Sequence, residues 1–399
     1  VNAFIAPFLK LTYLKQMFGI QTNVCPINPM DSEITHMTER ELKILALLKQ
    51  DPLMPQQDMA DKLSMSRSAV AGHIMNLTNK GIIRGKGYIL AEAPYVVVIG
   101  GANMDILGRP AGELRVGDSN PGSVSCSPGG VGRNIAENLA RLGTDTRLTT
   151  AVGKDTYGQE IIEHCQRAGI DMKHTLQLPD SVTSTYLSVL NGESDMHVAI
   201  NDMAILERLS VDVLKSQQAI LQRANVIIVD ANLSQTSLAY ILSNYAEIPL
   251  FVDPVSCAKA IKLKPYLNAI HTLKPNLKEA EQLSGITITD HDQLPELANW
   301  FHAQGVERIF LSLGVEGVFF SDKQEQALLP AIPVSMINAN GAGDAFLAGL
   351  AHGFIQDWST RKSTEFAMAA AVVALSDIAT INPNMSEISV NRVIKESLC

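Results

Sequence analysis

Along residues 38–80 apolar positions recur at helical spacing, and from residue 95 onward short wholly apolar runs alternate with amphipathic stretches. In the first region Leu42, Ile44, Leu45 and Leu48 form a stripe that ends near Gln50. Asp51-Pro52 breaks it, because the residue before proline is pushed out of the helical region. A second short helix is predicted over about 56–63 and a third over about 66–80, with Ser66 as N-cap and Gly81 as stop. Residues 82–90 read as two short strands around Gly85. Three helices and a wing in about fifty residues predict a winged helix-turn-helix domain over 37–92. Its third helix would present Arg67, Ser68, His73 and Asn76, and its wing Arg84 and Lys86. Those side chains suit the phosphates and base edges of double-stranded DNA. A helical protein–protein module has the same pattern, so both readings stand here.

After a short linker, 95–99 (Tyr-Val-Val-Val-Ile) reads as a buried strand, and similar runs follow at 226–229, 250–252, 271–273, 309–313 and 318–320. Helical stretches such as 211–222 and 277–283 separate most of them. That alternation predicts an α/β domain over 93–399, a doubly wound parallel sheet. Two regions break the alternation, 113–127 and 184–200, the second resembling a hairpin that turns at Asn191-Gly192. Both are read as strands of a small β lid, over about 112–127 and 184–200.

The chain has 399 residues, 46% apolar and 18% charged, the profile of a soluble globular protein with ample core. Its net charge of −9 argues against a nucleic-acid coat, yet residues 37–90 hold eight basic and five acidic side chains. The five cysteines are scattered without a C-x-x-C pair, which predicts a reduced, cytoplasmic setting. The apolar stretch 4–20 is interrupted by Lys10 and Lys15 and is too short to span a bilayer, so no membrane partner is expected. Residues 1–36 are read as a poorly ordered extension, upstream of a start at Met30 or Met37.

The most informative segment is 338–344 (Asn-Ala-Asn-Gly-Ala-Gly-Asp), followed by Phe346, Leu347, Leu350 and Phe354 at helical spacing. A Gly341-Ala342-Gly343 turn entering a helix aims several backbone N–H groups and the positive end of the helix dipole at one point, a site for phosphate. Asp344 would stand beside it, ill suited to hold phosphate but well placed to take a proton from an attacking hydroxyl. The alternative is an acidic residue that only complements the helix dipole. A second cluster, Gly129-Gly130-Val131-Gly132-Arg133-Asn134, opens a helix over about 134–142 without the Lys-Ser/Thr of a phosphate-binding P-loop. Its close backbone approach and Asn134 suit a polyhydroxylated ligand, although isolated glycine loops are mostly plain turns.

In this order, these segments resemble the PfkB/ribokinase family of carbohydrate and nucleoside kinases from about Tyr95 to the end. The first family signature is similar to Gly129-Gly130 with Asn134, and the second to Gly341-Ala342-Gly343-Asp344. The segment 100–105 with Asn103 and Asp105 resembles the sugar-contacting strand end; Asn276 and Glu279 resemble the N-x-x-E element near magnesium and the phosphates. Ser312, Gly314 and Gly317 resemble the loop beside the nucleotide. Finer detail at 118–122, 129–136, 199–203, 252–256 and 271–276 resembles the bacterial pseudouridine kinases, a subgroup that can carry an N-terminal helix-turn-helix. Another nucleoside, or a sugar such as ribose or fructose, remains an alternative substrate. The family usually has Asp-Thr where this chain has Asn338-Ala339. Asparagine keeps an oxygen but loses the charge that helps hold a monovalent cation such as K⁺.

The resemblance implies ATP and Mg²⁺ as cofactors, a homodimer, and a mechanism. Asn103 and Asp105 would hold the ribose hydroxyls with Gly129, Gly130 and Asn134, and Asp344 would take the 5′-hydroxyl proton. The amides of Gly341, Ala342 and Gly343 would stabilise the phosphoryl group in flight, and Glu279 would orient Mg²⁺ through water. For base recognition the residues nominate Asn201-Asp202 and Asp230 with Asn232, which serve equally well as helix caps. A ligand-sensing transcriptional regulator is the rival from another class.

Overall fold

In a computed structural model of the chain the described residues are 37–83, 94–191, 195–338 and 340–397. They fall into two compact units, one within Val1–Glu92 and one within Ala93–Cys399.

The first unit holds α1 (Glu39–Gln50), α2 (Gln56–Leu63) and α3 (Arg67–Asn79). Thr38 and Glu41 close a capping box at the start of α1, and the buried Glu41 carboxylate takes Lys80 at 3.1 Å, tying the end of α3 back to it. Ser66 caps α3 through the Ala69 amide at 3.2 Å. Ile44, Leu48, Met59, Val70 and Leu77 form the core. Arg67, Ser68 and Asn76 are exposed on α3 as expected, but His73 is half-buried. It lies three residues after Val70 and four before Leu77, which turns it toward the core flank. Arg84, Lys86 and the rest of the wing lie outside the described residues.

In the second unit the strands are β1 (Tyr95–Ile99), β2 (Asn103–Pro110), β3 (Gly122–Gly129), β4 (Asp145–Thr149), β5 (Ala151–Gly153), β6 (Leu176–Leu178), β7 (Thr185–Leu190), β8 (Met196–Asp202), β9 (Val226–Asp230), β10 (Leu250–Asp253), β11 (Thr272–Leu273), β12 (Arg308–Ser312), β13 (Val318–Ser321) and β14 (Gln326–Leu329). The main sheet runs β14-β13-β12-β11-β10-β9-β1-β4, parallel from β4 to β12, with β13 and β14 added antiparallel at one edge. Every residue of β1, β9 and β10 is buried, as a sheet covered on both faces requires.

Odd and even positions of β1 feed two separate cores. Val97 and Ile99 face the helices α6 (Gln235–Asn244), α7 (Leu277–Ser284) and α8 (Leu294–Ala303) once α4 (Val131–Arg141) and α5 (Thr156–Arg167) have taken the opposite face. Val96 and Val98 meet that opposite layer, which also holds α9 (Ala342–Ile355) and part of α10 (Thr360–Leu375).

The lid is a second sheet, β3-β2-β7-β8. Of the region expected at 113–127 only 122–127 is strand, as part of β3, and β2, which the alternation did not reveal, is one of the two inner members of the sheet. The hairpin partners β7 and β8 pair as expected, while Gly192 of the expected turn lies outside the described residues. The helix expected over 211–222 is two short pieces, Val211–Ser216 and Gln218–Leu221; at the break, the Gln217 side chain is drawn to Thr149 (2.8 Å) and the His174 carbonyl (2.9 Å). The edge strand β4 was also missed, because Asp145-Thr-Arg147 breaks the apolar pattern.

Candidate active site

Parallel strands all end at one edge, and that edge gathers the polar residues. The registers Ile99 to Val229, Asp230 to Asp253 and Val252 to Leu273 place Gly100, Asp230, Asp253 and Lys274 side by side there. Open α/β sheets bind ligands at such a carboxyl edge. Asn276 bridges to Ser312 on the next strand and continues the row.

Both glycine loops open onto it. Gly341 caps α9 in the left-handed region (φ 81°), and a Cβ there would lie 2.3 Å from the Thr380 carbonyl. The turn is therefore reserved for glycine. Asp344 stands in the first turn of α9, and its Oδ2 accepts a 2.8 Å hydrogen bond from the Asn134 amide of α4. One bond thus joins loops more than two hundred residues apart. Arg133 fixes its direction. Its guanidinium, which only donates, is 2.5 Å from the Asn134 oxygen, so the Asn134 NH₂ group must face Asp344. Arg133 is held in turn by Glu137, and although burial would raise the Glu137 carboxyl, His164, Arg133 and Arg141 hold it at about 2.

Burial pushes the Asp344 carboxyl up to about 7, with the Asp253 charge adding to it and the Asn134 bond and Lys274 opposing it. That is the range a general base needs at neutral pH. Asn103 donates to Asp105 at 2.6 Å. Burial raises the Asp105 carboxyl, against Asn103 and Arg133. A Cβ on Gly129 would lie 2.1 Å from the Asp105 carboxylate, so this glycine makes room for it. Asn103, Asp105, Gly129, Gly130 and Asn134 are thus brought together.

The lid registers sort the nominated base readers. Asp105 pairs with Tyr186 and Tyr186 with Asn201, so these three share one face. Asp202 pairs with Thr185 on the other face and accepts the Ala204 amide at 3.3 Å; as a base reader it is corrected to a turn residue. Asp230 is buried, takes the Gly101 amide at 2.8 Å and shapes the loop rather than the ligand. Asn232 accepts Lys259 at 2.6 Å, which leaves its NH₂ group toward Gly101.

Asn276 and Glu279 form a capping box at the start of α7, each side chain bonded at 2.9 Å to the other's amide. One Glu279 oxygen is therefore committed to the helix. Ser312 ends β12, and Gly314 and Gly317 bracket a single turn before β13. Both polar ends of Asn338 are hydrogen-bonded within the protein, its NH₂ to the distant Ile378 carbonyl and its oxygen to the neighbouring Asn340 amide, each 3.0 Å. Among the described residues no group of three or more His, Cys, Asp or Glu is placed to hold a metal, and no helix is long and apolar enough to cross a membrane.

The residues that the motifs did not single out are Asp253 and Lys274, both buried and 2.9 Å apart. Asp253 ends one apolar strand and Lys274 directly follows another, inside the segments 252–256 and 271–276, and the resemblance gives neither a role of its own.

Comparison with known proteins shows the family to which this fold belongs. Residues 93–387 match the pfkB family carbohydrate kinase model and 37–84 a winged helix-turn-helix DNA-binding model. The chain is 43% identical over 311 residues to the pseudouridine kinase of Escherichia coli K12, covering 78% of this chain and 99% of that protein. It is also 43% identical over 351 residues to the uncharacterized sugar kinase YeiI of the same organism, covering 88% and 97%. That span exceeds the length of 93–399, so it reaches back into the winged-helix segment. A sugar kinase structure from Clostridium perfringens superposes with TM-score 0.71 at 34% identity, covering 77% of this chain and 97% of that one. The Arabidopsis thaliana ribokinase, complexed with ribose and ATP, shares the fold at TM-score 0.69 and 21% identity, covering 76% and 99%. The chain belongs to the pfkB family of carbohydrate kinases, phosphotransferases that take an alcohol group as acceptor.

Proposed function

We propose that the chain transfers the γ-phosphoryl group of ATP to the 5′-hydroxyl of a nucleoside, pseudouridine first among them. The observation that carries this reading is the Asn134–Asp344 bond, which sets a proton acceptor of raised pKa between a hydroxyl-binding loop and an amide-lined helix start. The identity to a pseudouridine kinase over nearly that protein's whole length supports the choice of nucleoside.

In this mechanism Asn103 and Asp105 take the ribose 2′- and 3′-hydroxyls at the loop of Gly129 and Gly130, and Asn201 and Asn232 face the base. Asn134 releases or shares its bond to Asp344 as the sugar arrives. Asp344 accepts the proton of the 5′-hydroxyl, whose oxygen forms the new bond to the γ-phosphorus. The bond from phosphorus to the β,γ-bridging oxygen breaks, and ADP leaves with that electron pair. The amides of Gly341, Ala342 and Gly343 meet the charge on the transferring oxygens. Ser312, Gly314 and Gly317 line the nucleotide side with Asn276.

Magnesium in such sites is held by the nucleotide's phosphates, waters and one or two carboxylates. The free oxygen of Glu279 fits that role through water, and the ion would neutralise phosphate charge. Asn338 keeps at most a spare lone pair for a monovalent cation. The lid closes over the site and keeps out water. The exposed face of α3 supports double-stranded DNA as a second partner, with nucleoside as the ligand that modulates it.

A panel of pseudouridine, uridine, inosine, ribose and fructose with Mg-ATP, scored for ADP release, tests the substrate. Pseudouridine should exceed the others in kcat/KM by at least about tenfold, roughly 1.4 kcal/mol of transition-state discrimination. Faster turnover of a simple sugar overturns the nucleoside reading.

A further inference from the structure

Lys274 and Asp253 occupy the floor of the site, yet no step above uses them. Lys274 is 8% exposed, and its Nζ lies 2.9 Å from Asp253 Oδ2. A buried charge pair of this kind is costly to desolvate and adds little stability over apolar residues, so its presence at a site asks for another reason. The same Nζ lies 3.5 Å from the Gly343 carbonyl, the outer limit of a hydrogen bond. A Cβ on Gly343 would come within 2.9 Å of it. The lysine therefore fills the space directly under the first turn of α9.

We propose that Lys274, tethered by Asp253, is a positioning residue for phosphoryl transfer: it braces the Gly341–Gly343 turn from below and balances the carboxylates around Asp344. The proposal rests on Asp344 being the base. The groups facing Asp344 are Asn134 from α4, Asp230 from the end of β9, Asp253 from the end of β10, and Lys274 after β11, with Glu279 of α7 beyond the lysine. Burial would lower the Lys274 pKa, but Asp253, Asp344 and Glu279 together raise it above the usual lysine value, so the ammonium stays charged. Its charge favours the ionised form of Asp344, and that of Asp253 disfavours it. The pair sets the proton affinity of the base by opposition, and its two members have opposite signs of effect.

The test is the pH profile of kcat/KM for the full-length enzyme with Mg-ATP and its best substrate, alongside Asp344→Asn. Lys274→Met should move the acid limb to higher pH by about one unit or more, and Asp253→Asn should move it to lower pH. Lys274→Arg should leave it near the wild-type position. Each single variant strands a buried charge, so the double variant, which removes both, guards against failure to fold; its limb should return toward the wild-type position with kcat reduced. A limb that stays in place in both single variants, or moves the same way in both, overturns the pairing while leaving the base intact. Wild-type turnover in Asp344→Asn removes the base assignment and this inference together.

Discussion

Asp344 meets two opposed demands. The role of base proposed for it needs a carboxylate that accepts a proton near neutral pH, and burial raises its proton affinity at the expense of the ionised form. The sign follows from linkage. The folded-state pKa of about 7 lies above the ordinary value of 3.8, so between these limits the folded protein holds a proton that the unfolded chain has released. Stability from this group therefore falls as pH rises through that window, and the penalty is complete above it. Asp344→Asn should lower kcat by about 10²–10⁴-fold, the usual worth of a general base. Its melting temperature relative to the wild type should rise from pH 5 to pH 8. A constant difference across that range would show that the carboxylate is not held in the raised state.

At the scale of elements, the lid repays attention because alternation gives its two faces different work. Asn103, Asp105, Tyr186 and Asn201 share the face over the site. Val124, Val198 and Ile200 lie on the other and are 72%, 49% and 63% exposed. The inner end of that face is covered where Ile106 and Tyr157 join the core of α4 and α5, and the outer end is open. A contiguous apolar strip on a sheet of four strands is a contact surface in want of a partner. The homodimer that the family resemblance implies would cover this strip by meeting lid to lid. Val198→Ser combined with Ile200→Ser should turn a dimer into a monomer in sedimentation velocity. A wild-type chain that sediments as a monomer at micromolar concentration would refute the lid contact.

For the molecule as a whole, the question is why a kinase carries a winged helix. Arg67, Ser68 and Asn76 are exposed polar residues of α3, and the segment 37–90 is basic by three charges in a chain of net charge −9. Binding to duplex DNA that depends on phosphates should weaken steeply with salt. The expected result is a gel mobility shift with DNA from the gene's own promoter, altered by nucleoside and lost in Arg67→Ala with Asn76→Ala. No shift at low salt, with or without nucleoside, would make this unit a protein-binding module.

Much of this was legible in the chain itself, because local chemistry dictates it. Apolar runs of strand length fix the buried sheet, glycine marks the left-handed turn that starts α9, and Thr38, Ser66 and Asn276 cap the helices they precede. Strand β2 was not legible, since Asn103–Pro110 is half polar and half apolar and one of its two pairing partners, β7, lies some eighty residues along the chain. Nor was the separation of Asn201 from Asp202, which depends on strand register. The meeting of Asn134 with Asp344, and of Lys274 with Asp253 beneath Gly343, was likewise decided only by tertiary structure. Sequence specifies what each segment prefers to be; which distant charges end up within 3 Å, and hence what their proton affinities become, is set by how the strand ends align at one edge of the sheet.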